Sequence, residues 1–204
     1  MTDVVDRSAI FEAIWAENLW GSSESRSGPG SEIERTAPFR AALADFLVRV
    51  GARSLYDAPC GDYHWMRHVA LPEGLAYVGA DIVAPMIDAL QRDHGGEHRR
   101  FVVADIVTDP PPAVDVWLCR ESLFHLSLDE ARRVIAHWRA SPIAYLLATS
   151  TPTVTRNSDI RAGEWRPLNM ELDDFDLGPP VARIPDGSPR DVHKVIGVWA
   201  RDSR

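Results

Sequence analysis

Short apolar runs alternate with amphipathic segments over most of this sequence. Helical spacing of apolar residues predicts helices near 63–70, 84–93 and 128–140, the last with Ser127 and Glu130 in a capping box. Runs typical of strands occupy 53–57, 76–81, 100–104, 114–119 and 143–149, with a closing pair at 181–185 and 193–201. This alternation predicts an α/β protein with a mostly parallel sheet of about seven strands and helices on both faces.

The first 50 residues predict two helices separated by a polar loop. Residues 8–19 place their large apolar side chains on one helical face, and a second helix is expected over about 33–50. Ser31 is the predicted N-cap of this second helix, with Glu34 completing a capping box. The intervening residues 20–31 are rich in glycine and serine, but they also carry an aromatic and two charged side chains. We predict that this loop is a lid.

Length and composition are those of one globular domain spanning residues 1–204. Within it, 1–50 holds the N-terminal helices and the lid, and 51–204 forms a ligand-binding core with a long polar loop at 149–169. The net charge of −8 and the lack of a long basic cluster argue against nucleic-acid binding. No apolar run approaches 18 residues and no signal-peptide pattern is visible, so we expect a soluble cytoplasmic protein without membrane contact. Cys60 and Cys119 are expected to be reduced thiols.

Three aspartates follow the ends of the first three predicted strands. Asp57, Asp81 and Asp105 are spaced at intervals of 24 residues, and ligands of open α/β sheets bind at the carboxyl ends of strands. Each aspartate taken singly has an equal alternative, which is to cap the segment that follows it. The three together favour a ligand site, and Asp81 lies 20 residues past Gly61, a separation at which an acidic side chain reaches ribose hydroxyls.

The loop after the first strand discriminates between cofactor classes. Gly61 removes a Cβ where a ligand approaches the backbone, and a helix is expected to begin just after it. A nicotinamide dinucleotide is the main rival ligand, but Asp57 and Pro59 occupy the two early glycine positions of its Gly-x-Gly-x-x-Gly loop. Pro59 lacks the N–H that a diphosphate needs. A carboxylate in this loop suits a cationic sulfonium better.

These features resemble the class I S-adenosylmethionine-dependent methyltransferases, whose fold is Rossmann-like. The resemblance is carried by Leu-Tyr-Asp-Ala-Pro-Cys-Gly at 55–61, Val-Gly-Ala-Asp at 78–81 and Val-Ala-Asp-Ile at 103–106. A narrower group of small bacterial enzymes is similar in four blocks: Asn-x-Trp-Gly-x-x-Glu-Ser-x-Ser-Gly-x-Gly-Ser at 18–31, Asp-Ala-Pro-Cys-Gly-Asp at 57–62, Cys-Arg-x-x-Leu-Phe-His-Leu-Ser at 119–127 and Asn-x-Asp-Ile-x-x-Gly-x-Trp-Arg-Pro-Leu-Asn at 157–169. The chain departs from the family at Ala58-Pro59, in a loop that is usually richer in glycine.

The resemblance implies that S-adenosylmethionine is the cofactor. It places Gly61 and its neighbours against the methionine moiety, Asp81 on the ribose hydroxyls, and Asp105 with Ile106 at the adenine edge. Arg40 would pair with the cofactor carboxylate, although composition alone favours an exposed helix arginine. The implied cofactor residues are Trp20, Ser25, Ser27, Arg40, Asp57, Ala58, Pro59, Gly61, Asp62, Asp81, Ile82, Asp105, Ile106 and Arg120.

Two polar residues follow the fourth predicted strand, where the acceptor of the methyl group is expected. A hydroxyl acceptor must lose its proton as the new bond forms, which calls for a general base or a metal. His125 is the candidate base, and Glu121 is a candidate base or metal ligand. The alternatives are structural: a histidine packed under the loop, and a carboxylate that starts a helix or pairs with Arg120.

The polar loop at 149–169 carries further candidates. Trp165 and Arg166 are predicted to bind the acceptor, because an aromatic ring among polar side chains suits a sugar. Oxygen ligands that would together hold Mg²⁺ are offered by Glu121, Asn157, Asp159 and Asn169. The alternative is that the Asn and Asp side chains cap turns of the loop.

We therefore predict an O-methyltransferase that acts on a carbohydrate or another hydroxyl-rich small metabolite, with assistance from Mg²⁺ as a further expectation. Its partner would be a small-molecule or oligosaccharide acceptor, and a homodimer is one expected assembly. Two alternatives stay open. One is an N-methyltransferase, whose acceptor needs no dedicated base, and the other is a catalytically silent module that binds S-adenosylmethionine.

Overall fold

The computed structural model describes residues 6–186 and 193–201. Its strands are β1 Ser54–Asp57, β2 Ala76–Asp81, β3 Arg99–Val103, β4 Val116–Cys119, β5 Tyr145–Ser150, β6 Ala182–Pro185 and β7 Val195–Ala200. Its α-helices are α1 Arg7–Ala16, α2 Ile33–Arg49, α3 Ala84–His94 and α4 Leu128–Ala140. None of the helices in this described part of the chain combines the length and the apolar character that a membrane crossing requires.

All seven strands belong to one sheet, in the order β3-β2-β1-β4-β5-β7-β6. Strands β1 to β5 are parallel, and β7 runs antiparallel to both of its neighbours, β5 and β6. This confirms the predicted seven-stranded, mostly parallel α/β sheet. The chain first builds outwards from β1 to β2 and β3, and then returns to add β4 and β5 on the other side. The ligand cleft of such a sheet forms at this switch point, beyond the carboxyl ends of β1 and β4.

Alternate side chains along the strands point into two hydrophobic cores, one on each face of the sheet. Leu55 of β1 belongs to the core that includes α2 and α3, whereas its neighbour Tyr56 belongs to the core that includes α4. Val116 and Trp117 of β4 alternate in the same way. Helices therefore cover both faces, which agrees with the nearly continuous apolar character of the strand runs.

The helix predicted near 63–70 is wrong, since this stretch forms a single 3₁₀ turn at Met66–His68. Gly61 and Tyr63 have φ angles of 55° and 58°, in the left-handed region that an α-helix cannot use. The Tyr63 ring is buried against Tyr77 and Phe101, with centroid distances of 5.4 and 5.0 Å. Packing of this one aromatic ring thus overrides the local helical spacing. The segment directly after Gly61 therefore does not form the α-helix that was expected there.

The two predicted capping boxes have opposite outcomes. At α4 the box is confirmed, because Ser127 Oγ accepts from the Glu130 N–H at 3.2 Å and Glu130 Oε2 accepts from the Ser127 N–H at 2.8 Å. At α2 the N-cap is Glu32, and its side chain makes no capping bond. Ser31 instead closes a 3₁₀ turn that precedes the helix. The lid therefore continues directly into α2.

Asp115, just before β4, joins the amino ends of β1 and β4. Its Oδ2 accepts hydrogen bonds from the Arg53 N–H at 2.8 Å, and from the Ser54 N–H and hydroxyl, each at 3.0 Å. We expect Asp115→Ala to lower the free energy of unfolding by about 2 kcal/mol, because three charge-assisted hydrogen bonds are lost at a partly exposed site. Urea denaturation measures this change, and an unaltered unfolding midpoint would show that the bonds contribute nothing.

Candidate active site

A cleft lies at the carboxyl ends of β1, β2 and β4, with α1 and the lid (residues 20–31) on its outer side. It encloses about 950 Å³, including the space at its open mouth. The candidate catalytic residues Glu121 and His125 line it. So do ten of the predicted cofactor residues, namely Trp20, Ser27, Asp57, Pro59, Gly61, Asp81, Ile82, Asp105, Ile106 and Arg120.

Asp57 ends β1 on the inner side of the cleft and is almost completely buried. Its Oδ2 accepts a hydrogen bond from the Tyr77 hydroxyl at 2.7 Å. Burial raises the pKa of Asp57 to about 7, against the lowering effects of the Tyr77 hydrogen bond and of nearby Arg120. Ionising this carboxyl is therefore costly in the free protein, and a cation in the cleft would favour the charged form.

Asp81 ends β2 and organises the loop after β1. Its Oδ2 accepts from the Gly61 N–H at 3.0 Å, and its Oδ1 accepts from the Val83 N–H at 3.1 Å. Burial raises the pKa of Asp81 to about 6, although these backbone hydrogen bonds lower it. Each carboxylate oxygen has a second lone pair, so Asp81 retains the capacity to accept from a ligand hydroxyl.

A network around Asp62 ties the lid to the loop after β1. The Asp62 carboxylate accepts from the Ser25 hydroxyl at 2.8 Å and from the Arg26 N–H at 2.9 Å. In the other direction, the Asp62 N–H donates to the Ser27 hydroxyl oxygen at 2.8 Å. A Cβ on Gly61 would lie 2.3 Å from Ser27 Oγ, so only glycine permits this approach. The lid is therefore closed over the loop.

Beyond the end of β3, Asp105 is held by Arg7 of α1, which the sequence analysis did not single out. Arg7 Nε donates to Asp105 Oδ2 at 3.0 Å, and Arg7 Nη1 donates to Glu130 Oε1 at 3.0 Å. The second oxygen, Asp105 Oδ1, accepts from the Val107 N–H at 2.9 Å. Arg7 thereby connects α1 to the segments after β3 and at the start of α4, and it closes this end of the cleft.

Arg120, directly after β4, is a buried cation between the lid and the last strands. Its Nε donates to Asp186 Oδ1 at 2.9 Å, and its Nη2 donates to the Gly30 carbonyl at 2.8 Å. The guanidinium carbon lies 5.1 Å from the centroid of the Trp65 ring. Burial raises the pKa of Asp186, although Arg120 lowers it. The guanidinium is thus engaged by the protein itself, and Arg120 anchors the lid to the core.

Glu121 lines the cleft, but both of its carboxylate oxygens accept from Lys194 Nζ, at 2.9 and 2.8 Å. Its backbone has a φ of 53°, and its N–H donates to the Thr149 hydroxyl at 2.8 Å. The carboxylate also touches the lid, since a Cβ on Gly30 would lie 2.5 Å from Oε2. Because Lys194 engages both carboxylate oxygens, Glu121 is better placed to orient an acceptor than to receive its proton.

His125 lies in the 3₁₀ turn after β4 and stacks on Trp20 of the lid, with ring centroids 5.1 Å apart. Its Nδ1 lies 2.9 Å from the Glu164 carbonyl oxygen. A carbonyl only accepts, so Nδ1 carries the proton and Nε2 is the unprotonated nitrogen. Burial lowers the pKa of His125 to about 4, and the charges of Lys194 and Arg166 also lower it. The ring is a neutral hydrogen-bond acceptor but a weak base.

Four predicted cofactor residues do not line the cleft. Ser25 and Asp62 connect the lid to the loop behind it, and Ala58 is fully buried in the core. Arg40 Nη2 donates to the Ile33 carbonyl of its own helix at 3.1 Å. The predicted contact between Arg40 and a cofactor carboxylate therefore has no support in this arrangement.

The predicted Mg²⁺ site is not assembled. Asn157 and Asn169 are buried and bond to each other: Asn157 Nδ2 donates to the Asn169 carbonyl at 3.0 Å, and the Asn169 N–H donates to Asn157 Oδ1 at 2.8 Å. Asp159 Oδ1 accepts from the first N–H of α4 at 2.8 Å, and Glu121 is held by its ion pair. Among the described residues, no group of three His, Cys, Asp or Glu side chains is arranged to hold a metal ion. Asn157 and Asn169 thus join two parts of the loop, and Asp159 binds the start of α4.

The predicted acceptor residues Trp165 and Arg166 also lie outside the cleft lining. Trp165 is 61% exposed and meets Phe124 edge-on, with ring centroids 6.3 Å apart. Arg166 is buried, burial lowers its pKa, and its Nη1 donates to the Leu126 carbonyl at 2.6 Å. A sugar stacked on Trp165 would therefore lie outside the cleft. The aromatic residues that do line the cleft are Phe11, Trp15, Trp20 and Trp65.

No family model and no curated protein sequence matches this chain. Solved structures match its fold. The N-methyltransferase NodS from Bradyrhizobium japonicum, in complex with S-adenosylhomocysteine, has a TM-score of 0.66 at 16% identity, covering 97% of this chain and 100% of that chain. The 1,6-didemethyltoxoflavin-N1-methyltransferase from Burkholderia thailandensis, with its namesake ligand and S-adenosylhomocysteine bound, has a TM-score of 0.65 at 16% identity, covering 100% and 92%.

A third similar structure is PigF with S-adenosylhomocysteine, at a TM-score of 0.60 and 19% identity, covering 81% of this chain and 55% of PigF. The chain thus spans about half the length of PigF, and nearly the whole length of the other two proteins. At these identities the similarity establishes the fold and leaves the substrate open. The chain has the Rossmann-like α/β fold of S-adenosylmethionine-dependent methyltransferases.

Proposed function

We propose that this protein transfers the methyl group of S-adenosylmethionine to a small-molecule acceptor, with a hydroxyl oxygen as the first candidate nucleophile. The observation that carries the proposal is the convergence of Asp57, Asp81 and Asp105 on one cleft beside Gly61. The similarity in fold to NodS, to the toxoflavin enzyme and to PigF, each with S-adenosylhomocysteine bound, supports the same ligand here.

The residues of the cleft fit an adenosyl sulfonium. Asp57 and Asp81 are buried carboxyls whose pKa values are raised to about 7 and about 6, so a neighbouring cation offsets the cost of ionising them. Gly61 lines the cleft, and its lack of a Cβ allows Ser27 of the lid to approach the backbone there. Asp81 offers acceptor oxygens to ribose hydroxyls, while Ile82 and Ile106 provide apolar walls for a base. A diphosphate would meet the carboxyl groups of Asp57 and Asp81, which disfavours a dinucleotide.

Positioning is the main contribution of this chain to the proposed reaction. Displacement on a sulfonium is accelerated by holding the nucleophile in line with the methyl carbon. The closed lid limits access of water to the cleft, and Trp20 and Glu121 bound the space beside His125. As the new C–O bond forms and the C–S bond breaks, the hydroxyl proton passes to His125 Nε2, and S-adenosylhomocysteine is the leaving group.

The lining favours an acceptor with an apolar or aromatic face. Phe11, Trp20 and Leu126 line the cleft together with His125. Glu121, which also lines the cleft, is paired with Lys194. Sugars also stack their CH faces on aromatic rings, and Trp20 is the ring that would serve. A carbohydrate acceptor therefore stays within the proposal beside planar aromatic acceptors.

Methylation of a nitrogen acceptor is the second candidate function, and the pKa of His125 favours it. A base with a pKa of about 4 takes a proton poorly at neutral pH. An amine or a ring nitrogen with a free lone pair attacks the methyl group without prior loss of a proton. Such an acceptor needs from His125 only a hydrogen bond that orients it. NodS and the toxoflavin enzyme are both described as N-methyltransferases.

The proposal is tested with S-adenosylmethionine labelled in the methyl group. The wild-type protein is incubated with separate pools of hydroxylated aromatics, amines and glycan precursors, each with added Mg²⁺ or with a chelator. We expect label in one class of product, with equal yields in Mg²⁺ and in chelator. Binding of S-adenosylhomocysteine without label transfer to any pool would favour the silent module. A melting temperature raised by NAD and not by S-adenosylhomocysteine would overturn the cofactor assignment.

Cofactor binding is expected to weaken as the pH falls below 7. Burial raises the pKa of Asp57 to about 7 in the free protein, and only the ionised carboxylate attracts the sulfonium. The dissociation constant then rises about tenfold for each pH unit below this pKa. Calorimetry is expected to give a constant for S-adenosylmethionine about tenfold higher at pH 6 than at pH 8. Asp57→Asn removes the titrating group and should flatten most of this dependence, whereas equal constants in the wild-type protein at the two pH values would refute it.

A further inference from the structure

Arg166 is buried, with only 2% of its surface exposed, close to the turn that carries His125. It does not line the cleft, so it is not placed to contact a ligand there. Within the part of the chain that the structure describes, its Nε and Nη2 have no hydrogen-bond partner. Burying a guanidinium in this way costs free energy that an apolar side chain of similar size would not. A role beyond filling space is therefore expected.

Three consecutive carbonyls of the turn that carries His125 accept hydrogen bonds from one segment of the polar loop. The Arg166 N–H donates to the Phe124 carbonyl at 3.2 Å, and Arg166 Nη1 donates to the Leu126 carbonyl at 2.6 Å. Between them, the His125 carbonyl accepts from the Gly163 N–H at 2.9 Å. Arg166 thus binds the backbone on both sides of His125.

The same segment fixes the imidazole ring. The Glu164 carbonyl accepts from His125 Nδ1 at 2.9 Å, and Glu164 lies between Gly163 and Arg166, which hold the turn. Displacement of the loop relative to the turn would lengthen this bond and release the ring. The loop is in turn seated on α1, since a Cβ on Gly163 would lie 2.7 Å from Ile10 Cγ2. The position of the Glu164 carbonyl therefore decides which ring nitrogen carries the proton.

We propose that Arg166 is a positioning residue for His125: by binding the carbonyls on both sides of it, Arg166 holds the imidazole in the tautomer with Nε2 unprotonated. The catalytic value of that tautomer rests on the proposed methyl transfer, because Nε2 is the nitrogen that would accept from the nucleophile. The tautomer itself is measurable without any acceptor, so the positioning role of Arg166 and the proposed methyl transfer can be refuted independently.

Nitrogen-15 NMR of the histidine rings in the full-length protein tests the proposal, with His125→Gln used to assign the signals. We expect wild-type His125 to show one tautomer, protonated at Nδ1, at neutral pH. Arg166→Met keeps an unbranched, flexible side chain but removes the side-chain donors, leaving the backbone bond to the Phe124 carbonyl, and it should give averaged Nδ1 and Nε2 shifts. Arg166→Lys retains a donor for the Leu126 carbonyl and should restore most of the wild-type pattern. Arg161→Met, an exposed arginine in the same loop, is the matched control and should change nothing.

Retention of the single tautomer in Arg166→Met would overturn the proposal, even if the melting temperature fell, because that result is what a purely structural residue gives. Should Arg166→Met fail to fold, Arg166→Leu, which also lacks a side-chain donor, takes its place with the same two readings. Titration of the same samples with S-adenosylhomocysteine separates the two ideas. Loss of the tautomer with unchanged binding is the expected result, whereas failure of the wild-type protein to bind would remove the proposed function and leave the NMR result to decide the role of Arg166.

Discussion

Replacement of Gly61 by alanine is expected to raise the dissociation constant for S-adenosylhomocysteine by about 100-fold or more, equivalent to about 3 kcal/mol. The new Cβ would lie 2.3 Å from Ser27 Oγ and 2.9 Å from Ser27 Cβ, so the lid cannot close in its present position. Relief of the clash also moves the Gly61 N–H away from Asp81, which accepts from it at 3.0 Å. Calorimetric titration at a fixed pH measures the loss.

Gly74→Ala is the matched control for Gly61→Ala. Gly74 also has a positive φ, 72° against 55°, but a Cβ there would have no neighbour within 4 Å. Both substitutions therefore introduce similar backbone strain, of about 1 kcal/mol. We expect Gly74→Ala to lower stability while leaving the dissociation constant within about twofold of wild type. An equal loss of binding in the two variants would show that strain, and not the contact with the lid, is responsible.

Replacement of His125 by glutamine is expected to lower turnover of the acceptor identified by the labelling screen by about 100-fold. Glutamine can still donate to the Glu164 carbonyl, which His125 Nδ1 contacts at 2.9 Å, but it lacks a nitrogen that takes up a proton. Affinity for S-adenosylhomocysteine should stay close to wild type, because the three strand-end aspartates are untouched. Initial rates of label transfer, with the cofactor saturating, measure the effect.

His98→Gln is the control for His125→Gln, because His98 is exposed and lies outside the cleft. Its turnover should match that of the wild-type protein. If His125→Gln also kept its turnover, His125 would not be the base, and a nitrogen acceptor that needs no base would become the leading function. The pH dependence of turnover is a second test of His125 as the base. A pKa of about 4 places protonation of His125 well below the pH range in which Asp57 titrates, so the two effects separate along the pH axis.

The fold was predictable from sequence where the local sequence pattern and the tertiary packing favour the same structure. The apolar runs became the strands within two residues at each end, and the Ser127–Glu130 box marks the start of α4. The failures arise where packing competes with local spacing. Burial of the Tyr63 ring beside β2 and β3 imposes a positive φ that ends any helix there. At α2, Ser31 is taken up by a 3₁₀ turn of the lid, so its hydroxyl does not cap the helix.

The candidate site was predictable only as far as topology places strand ends together. Asp57, Asp81 and Asp105 meet at the cleft because they follow neighbouring parallel strands, and this neighbourhood follows from the alternating pattern. Ion pairs between residues far apart in the chain leave no local sequence pattern from which they could be predicted. Arg7 reaches Asp105 over 98 residues, and Lys194 reaches Glu121 over 73 residues.

The metal hypothesis has no support in the structure for a related reason. Ligand types in a loop do not reveal whether the loop already uses them, and the side chain of Asn157 bonds to the backbone of Asn169 in both directions. The polar groups of Asn157, Asp159 and Asn169 therefore form hydrogen bonds within the protein and are not arranged around an ion. The same loop instead supplies the bonds that orient His125, through its backbone and through Arg166.

Calorimetric titration of the wild-type protein with S-adenosylhomocysteine, and separately with NAD, tests most directly whether the cleft at the three strand-end aspartates binds the demethylated cofactor. We expect saturable one-to-one heat with S-adenosylhomocysteine, a large loss of that heat in Gly61→Ala, and none with NAD. Heat from NAD alone, or no heat from S-adenosylhomocysteine at a protein concentration where the fold is intact, would contradict it.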